Sequence, residues 1–370
     1  MKIIIAPDSF KGSLNSLEAA NSIRAGILAA ADNVEILILP IADGGEGTLD
    51  AIVPEQNRKF AIVTSTLGEQ INAAYGVNGD TAIIEMSRAA GLTLVTPEKR
   101  DIEQATTYGV GQLIAQALDN GCKRILLTVG GSGTNDGGTG MFEALGAVFY
   151  DDNGKLIHGN GSALAKIKKI DITNLDKRLL DCEIVIATDV TNPLTGVNGA
   201  TRIYGPQKGA LGEVQDKLEA GMVQYAKLLY ESTGIDVAAI PGSGAGGGIA
   251  APLLAYTNAR IVSGIDAVLD ALEFDRKLVE TDFVITGEGR VDSQSLYGKA
   301  ISGIAAAAAK QNVPVFVFAG SLGDGLDGLY DIGVKGIFSI IESPCTLEYA
   351  MENAQQLLFK TAYRWAKMFL

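Results

Sequence analysis

A chain of 370 residues, 47% hydrophobic and without a long low-complexity tract, has room for two domains with proper cores and is not a disordered protein. Its formal net charge of −13 repels nucleic acid and anionic membrane, so neither is an expected partner. Three widely separated cysteines (Cys122, Cys182, Cys345) and a single histidine, His158, exclude a disulfide framework, a zinc site, a multi-histidine metal centre and a Ser-His-Asp triad.

Acid–base work must therefore fall to Asp, Glu, Lys or Tyr. Any metal is expected to be hard and oxygen-ligated, such as Mg²⁺. The cysteine usage fits a reducing, cytoplasmic setting. Met1–Pro7 is too short for a signal peptide, and no apolar run is long enough to span a bilayer.

In chain order, Lys2–Ala6 predicts a strand. A helix follows with Leu17, Ala20, Ile23, Ile27 and Leu28 on one face, capped by Ser13 or Ser16 with Glu18 in its first turn. Asp8, Ser9 and Lys11 then stand at the carboxyl end of a strand, where open α/β sheets bind ligands. A second strand over Val34–Leu39 runs into Pro40-Ile-Ala-Asp-Gly-Gly-Glu-Gly-Thr48, which places Asp43 and Glu46 at another strand end. Asp43 serves equally well as a helix cap.

Between about Lys59 and Met86 the pattern changes. Ala61–Thr64, Ile71–Tyr75 and Thr81–Glu85 predict three short strands separated by Gly68 and Gly79, a meander rather than a βαβ unit. A helix over 102–119 leads to a buried strand at Ile125–Val129. That strand opens into Gly130-Gly-Ser-Gly-Thr-Asn-Asp-Gly-Gly138, with a helix beginning near Met141. Strand, glycine loop and helix form a layout that holds phosphate, because glycine lets backbone N–H groups approach an anion at a helix N-terminus. Gly130, Gly131, Ser132, Gly133, Thr134, Asn135, Gly137 and Gly138 are thus candidate nucleotide contacts, and Asp136 suits a bridging cation. A plain strand-to-helix turn is the alternative, and the loop is not a Walker A sequence.

Strand Glu183–Ala187 delivers Asp189 and Asn192 to a strand end. Lys208, held between Gly205-Pro206 and Gly209, is a poor fit to a merely solvated lysine. A helix over 211–232 precedes Pro241–Gly248, where Gly242, Gly244 and Gly247 match GxGxxG after only a short apolar stretch. Strand Asp282–Thr286 ends in Gly287-Glu-Gly-Arg-Val-Asp292, bringing Glu288 and Arg290 to the loop. A helix near Lys299–Lys310, strands Val315–Phe318 and Gly336–Ile340 and an amphipathic C-terminal helix finish the chain. The expected fold is α/β, a doubly wound parallel sheet from residues 1–57 and 260–370, with a second mixed α/β domain, 58–259, inserted.

Several of these segments together resemble the bacterial glycerate kinase family, the glycerate 2-kinases. They are Ala6-Pro-Asp-Ser-Phe-Lys-Gly12, the Pro40–Thr48 segment, Gly130–Gly138, Asp189-Val-Thr-Asn-Pro-Leu194, Gly205-Pro-Gln-Lys-Gly-Ala210, and Thr286–Ser295 with Gly298-Lys299. The likeness runs through the whole chain in one order; a small departure is Gly133, where alanine is common. The resemblance implies a flavodoxin-like domain with an α/β insertion, and ATP-dependent phosphorylation of D-glycerate at the 2-hydroxyl. It assigns no residue roles; those follow from the chemistry of phosphoryl transfer. Asp8, Ser9, Lys11, Arg290 and Glu288 are the expected glycerate contacts, with Arg290 able to take a carboxylate bidentately. The glycine loop and Lys208 are expected to hold ATP, and Asp136 and Asp189 to hold Mg²⁺. Asp189 is the first choice as the proton acceptor, ahead of Asp43, Asp136 and Glu288, and Asp189, Lys11, Arg290 and Asp43 make up the expected catalytic set. The expected partner is the small-molecule substrate; a homodimer is left open. The alternatives are transfer to the 3-hydroxyl, an NAD-dependent dehydrogenase built on Gly242–Gly247, and a non-catalytic small-ligand binding protein.

Overall fold

The computed structural model describes residues 1–296 and 299–370. Gly298, from the last of the family segments, lies outside the described residues, as does Tyr297. The chain forms two compact units. The first comprises Met1–Asp43, Asp50–Ile52 and Gly264–Leu370, and the second Gly44–Leu49 and Val53–Ser263.

The first unit holds five parallel strands in the spatial order Val334–Ser339, Val315–Leu322, Phe283–Val291, Lys2–Ile5, Glu35–Ile38. Counted along the chain, that is the 2-1-3-4-5 order of flavodoxin-like sheets. The isoleucine run of the first strand is buried, as expected of a central parallel strand covered on both faces. It pairs Ile3–Ile5 with Phe283–Ile285 on one side and Lys2–Ile5 with Glu35–Ile38 on the other. The Phe283–Val291 strand outlasts its expected end. Gly287–Val291, read from sequence as a loop, continues the ladder, with Glu288 opposite Ala319 and Arg290 opposite Ser321.

The helix Ser16–Ala30 is capped by Asn15, not by Ser13 or Ser16. Asn15 Oδ1 accepts from Glu18 N at 2.9 Å, and Glu18 returns a carboxylate oxygen to Asn15 N at 2.9 Å, a capping box. Ala19, Ala20, Ile23 and Ile27 face the core, whereas Leu17 and Leu28 are exposed. Gly26 lets this helix lie against the C-terminal helix Ala354–Phe369, since a Cβ there would sit 2.2 Å from the Phe359 carbonyl. Trp365 is fully buried under the sheet among Phe283, Phe316 and Phe318.

The second unit carries six strands in the order Arg260–Val262, Glu183–Ala187, Arg124–Thr128, Thr81–Glu85, Gln70–Asn78, Arg58–Thr64. The first four are parallel and the last two join antiparallel, so the sheet is mixed. Leu156–Ile157, Val148–Tyr150 and Lys169–Asp171 form a small antiparallel sheet. The helix expected from residue 102 begins at Tyr108. Among the described residues no helix is long and apolar enough to cross a membrane.

Candidate functional site

In the first unit, the strands Lys2–Ile5 and Phe283–Val291 are the neighbours at which the strand order reverses. The crevice beyond the carboxyl ends of such a pair is where open α/β sheets bind ligands. Backbone pairing carries past the first strand's end: Ala6 N donates to Ile285 O at 2.8 Å and Asp8 N to Gly287 O at 2.9 Å. The buried Thr286 hydroxyl adds a bond to Ala6 O at 2.8 Å. Asp8 is therefore fixed in place by sheet hydrogen bonds, although it follows the strand.

The Asp8 carboxylate is mostly buried, and one oxygen accepts the Ser9 N–H at 2.6 Å. Burial pushes its pKa up to about 6. The Ser9 N–H and Lys11 oppose the rise, while the neighbouring charges of Asp43 and Glu288 reinforce it. Glu288 is raised as well, chiefly by burial, against a 2.6 Å hydrogen bond from the Ser295 hydroxyl and the charges of Lys299 and Lys11. The crevice thus gathers Asp8, Asp43 and Glu288 with Lys11 and Lys299 near enough to act on one another. Ser9 contributes its backbone N–H. Arg290, expected here as a carboxylate clamp, pairs instead with Asp292 at 3.1 Å with its side chain 70% exposed.

In the second unit the register pairs Ala187 with Thr128 and Thr128 with Glu85. Asp189, Gly130-Gly131 and Glu85–Ser87 therefore leave the parallel strands on one edge. Much of the glycine loop is not a phosphate cradle in this arrangement. Gly133 N donates to Ala90 O, Gly137 N to Gly247 O, and Gly138 N to the Asp136 carboxylate. Thr134 and Asn135 are fully buried, and Asn135 donates to the Thr201 hydroxyl at 3.0 Å. A Cβ at Gly133 would lie 2.9 Å from Gly91 O, and one at Gly138 2.8 Å from Ile249 O. These glycines permit close packing. Only Gly130 and Gly131 reach the surface, against Gly45, Glu46 and Ser87.

Asp136 is fully buried and accepts four hydrogen bonds, from Thr107 N and Oγ1 at 2.8 Å each, Gly138 N at 3.1 Å and Gly140 N at 3.2 Å. Burial raises its pKa against those bonds. A cation could reach it only by displacing these donors, so the carboxylate braces the loop. Lys208 braces the same loop from behind. It is 2% exposed, and its ammonium donates to Ser132 Oγ at 2.6 Å and Thr134 O at 2.7 Å. Burial lowers its pKa to about 7, and the charge of Asp136 resists the fall.

Asp189 is exposed two residues beyond its strand. Asn192 holds the turn by donating to Asn198 O at 2.8 Å and accepting the Tyr204 hydroxyl at 2.6 Å. Sequence reading passed over Glu85. This fully buried carboxylate accepts from Gly47 N at 2.6 Å, Leu49 N at 3.3 Å and Ser87 Oγ at 3.0 Å, with Arg88 at 3.6 Å. It fixes the Gly45–Thr48 turn over Gly130-Gly131. Its one sequence signal is an acid closing the otherwise apolar end of a strand, Ala82-Ile-Ile-Glu85. Among the described residues no strand immediately precedes Pro241–Gly248, and Gly247 packs on Thr134. The GxGxxG match is a packing loop, which removes the basis for a dinucleotide fold.

Fold and site together define a two-unit α/β enzyme whose charged residues gather at the carboxyl ends of parallel strands. Comparison with known proteins narrows that class: a family model described as the glycerate kinase family matches residues 3–370, and the chain belongs to that family. It is 45% identical to the glycerate 2-kinase of Escherichia coli K12, over 96% of this chain and 94% of the relative. It is 42% identical to a glycerate kinase of Halalkalibacterium halodurans, over 97% and 96%. A crystal structure of a candidate glycerate kinase 2 from Salmonella typhimurium LT2 is 44% identical and superposes with a TM-score of 0.89, covering 100% of this chain and 98% of that one.

Proposed function

We propose that this protein transfers the γ-phosphoryl group of ATP to the 2-hydroxyl of D-glycerate. The observation that carries the reading is similarity over nearly the whole chain to a protein named glycerate 2-kinase. In the reaction the substrate oxygen bonds to the γ-phosphorus, the bond to the bridging oxygen of ADP breaks, and the hydroxyl proton passes to a carboxylate. Lys11 and Lys299, whose charges act on Glu288, supply positive charge for the glycerate carboxylate. Ser9, Glu288 and Arg290 complete the substrate set, with Arg290 exchanging Asp292 for the acid. The exposed Gly130-Gly131 edge is the part of the loop that phosphate can approach.

Among the described residues no three His, Cys, Asp or Glu side chains converge into a cage for a metal ion. Mg²⁺ does not need one, because it binds through one or two carboxylates together with substrate phosphates. Asp189, exposed at a strand end, suits that part, whereas Asp136, with its oxygens occupied, does not. Bound there, Mg²⁺ would neutralise phosphate charge.

Purified protein given ATP, Mg²⁺ and D-glycerate should form ADP and 2-phosphoglycerate in equal amounts, followed by coupled ADP assay and ³¹P NMR. Absence of ADP would defeat the proposal, and phosphate on the 3-oxygen would defeat its regiochemistry.

A further inference from the structure

We infer that Asp8, rather than Asp189, is the general base that takes the proton from the attacking glycerate hydroxyl. The inference rests on the kinase reading above and adds the identity of the base. A base needs a rigid backbone, a lone pair not already engaged and a substrate anchor nearby. Asp8 meets the first through its N–H bond to Gly287 O at 2.9 Å. It meets the second because its single hydrogen bond among the described residues, from Ser9 N, engages only Oδ1 and leaves Oδ2 to receive a proton. Lys11, close enough to act on its charge, meets the third.

Three of the competing carboxylates fare worse. Asp136 is fully buried and saturated by four donors. Glu288 also has one oxygen engaged, by the Ser295 hydroxyl, but the charges of both Lys299 and Lys11 act on it and favour its ionised form, which makes it the weaker proton acceptor. Asp189 lies exposed two residues beyond the end of its strand, without the enclosure that keeps water from a proton transfer. Asp8, among Asp43 and Glu288 in a mostly buried site, holds its proton to about pH 6 and is a stronger base than an ordinary aspartate. In the step, the hydroxyl O–H bond breaks, its electron pair forms the new O–P bond, and the proton settles on Asp8 Oδ2. It returns to solvent after ADP and 2-phosphoglycerate leave.

The test compares the full-length wild type with Asp8→Asn, Asp8→Ala and Asp189→Asn, each checked for folding by far-UV circular dichroism. Asp8→Asn should lower kcat about 10²–10⁴-fold while glycerate affinity, measured by calorimetry, changes only a few-fold. The wild-type kcat should rise with pH through about 6, and this limb should vanish in Asp8→Asn yet persist in Asp189→Asn. Should Asp8→Asn not fold, Asp8→Ala is read in its place. A wild type without turnover sinks the kinase reading and the base with it. A turning-over wild type overturns the Asp8 assignment alone if Asp8→Asn keeps kcat within tenfold, retains the acid limb, or loses glycerate affinity in step with kcat.

Discussion

A carboxylate mostly buried beside Asp43 and Glu288 is ionised at neutral pH against its surroundings, and that cost is carried by the fold. Asp8 titrates at about 6 instead of 3.8. Between those values the folded chain holds more protons than the unfolded one, so stability falls as pH rises through the window, and the loss is complete above about 6. At about 1.4 kcal/mol per pKa unit the penalty is at most about 3 kcal/mol. Asp8→Asn keeps the oxygen that accepts the Ser9 N–H and removes the charge. The variant should therefore be more stable than wild type at pH 8, by up to about 3 kcal/mol, and nearly unchanged at pH 4. Urea denaturation at the two pH values measures this, and an equal effect at both would contradict it. Lys208 has the opposite sign: with its pKa lowered to about 7, it makes stability rise with pH between that value and the ordinary lysine range. The sequence put Asp8 at a strand end but could not reveal this energetic position, because one of the charges acting on it, Glu288, comes from a distant part of the chain.

At the scale of elements, the glycine loop divides what the sequence made legible from what it did not. The strand before it and the helix after it follow from the β-branched run at Ile125–Val129 and the apolar residues after Gly140, and both form. Glycine has two uses, close approach to a ligand and close approach of one backbone to another, and local sequence does not distinguish them. Here Gly133 and Gly138 serve the second, against Gly91 and Ile249. Gly287–Val291 misled for a related reason. Its glycines read as a turn, yet Gly287 lets two strands run close together, where a Cβ would lie 2.1 Å from Phe318 O. The glycine and proline neighbours of Lys208 set it apart from a surface lysine; what it faces, Ser132 and Thr134, is settled by tertiary structure. The brace reading of Asp136 has a direct consequence. Asp136→Ala strips Thr107, Gly138 and Gly140 of their shared acceptor, and one buried orphan donor already costs about 1–3 kcal/mol. The variant should lose at least roughly 3 kcal/mol of stability, seen as a lower urea midpoint. A variant that loses less than about 1 kcal/mol but no longer responds to Mg²⁺ would restore Asp136 as a metal ligand.

For the whole molecule, the first unit is assembled from both ends of the chain: Ile3–Ile5 pairs with Phe283–Ile285, and Ser16–Ala30 packs on Ala354–Phe369. It cannot form until the intervening 200-odd residues have been made, whereas the second unit is nearly contiguous. Each has a hydrophobic core of its own. The only tryptophan of the chain, Trp365, is fully buried in the first unit, so its fluorescence reports unfolding of that unit alone, while far-UV circular dichroism reports both. If the glycerate contacts lie with Asp8 and Lys11, glycerate should raise the denaturant midpoint seen by fluorescence. At a hundred times its dissociation constant the gain is about 2.7 kcal/mol. ATP with Mg²⁺ should act on the transition seen by circular dichroism with fluorescence unchanged, through Gly130-Gly131 and Asp189 in the second unit. Glycerate that leaves the fluorescence midpoint in place at saturation, while moving the other transition, would shift the acid site to the second unit and remove the basis for assigning Lys11 to it.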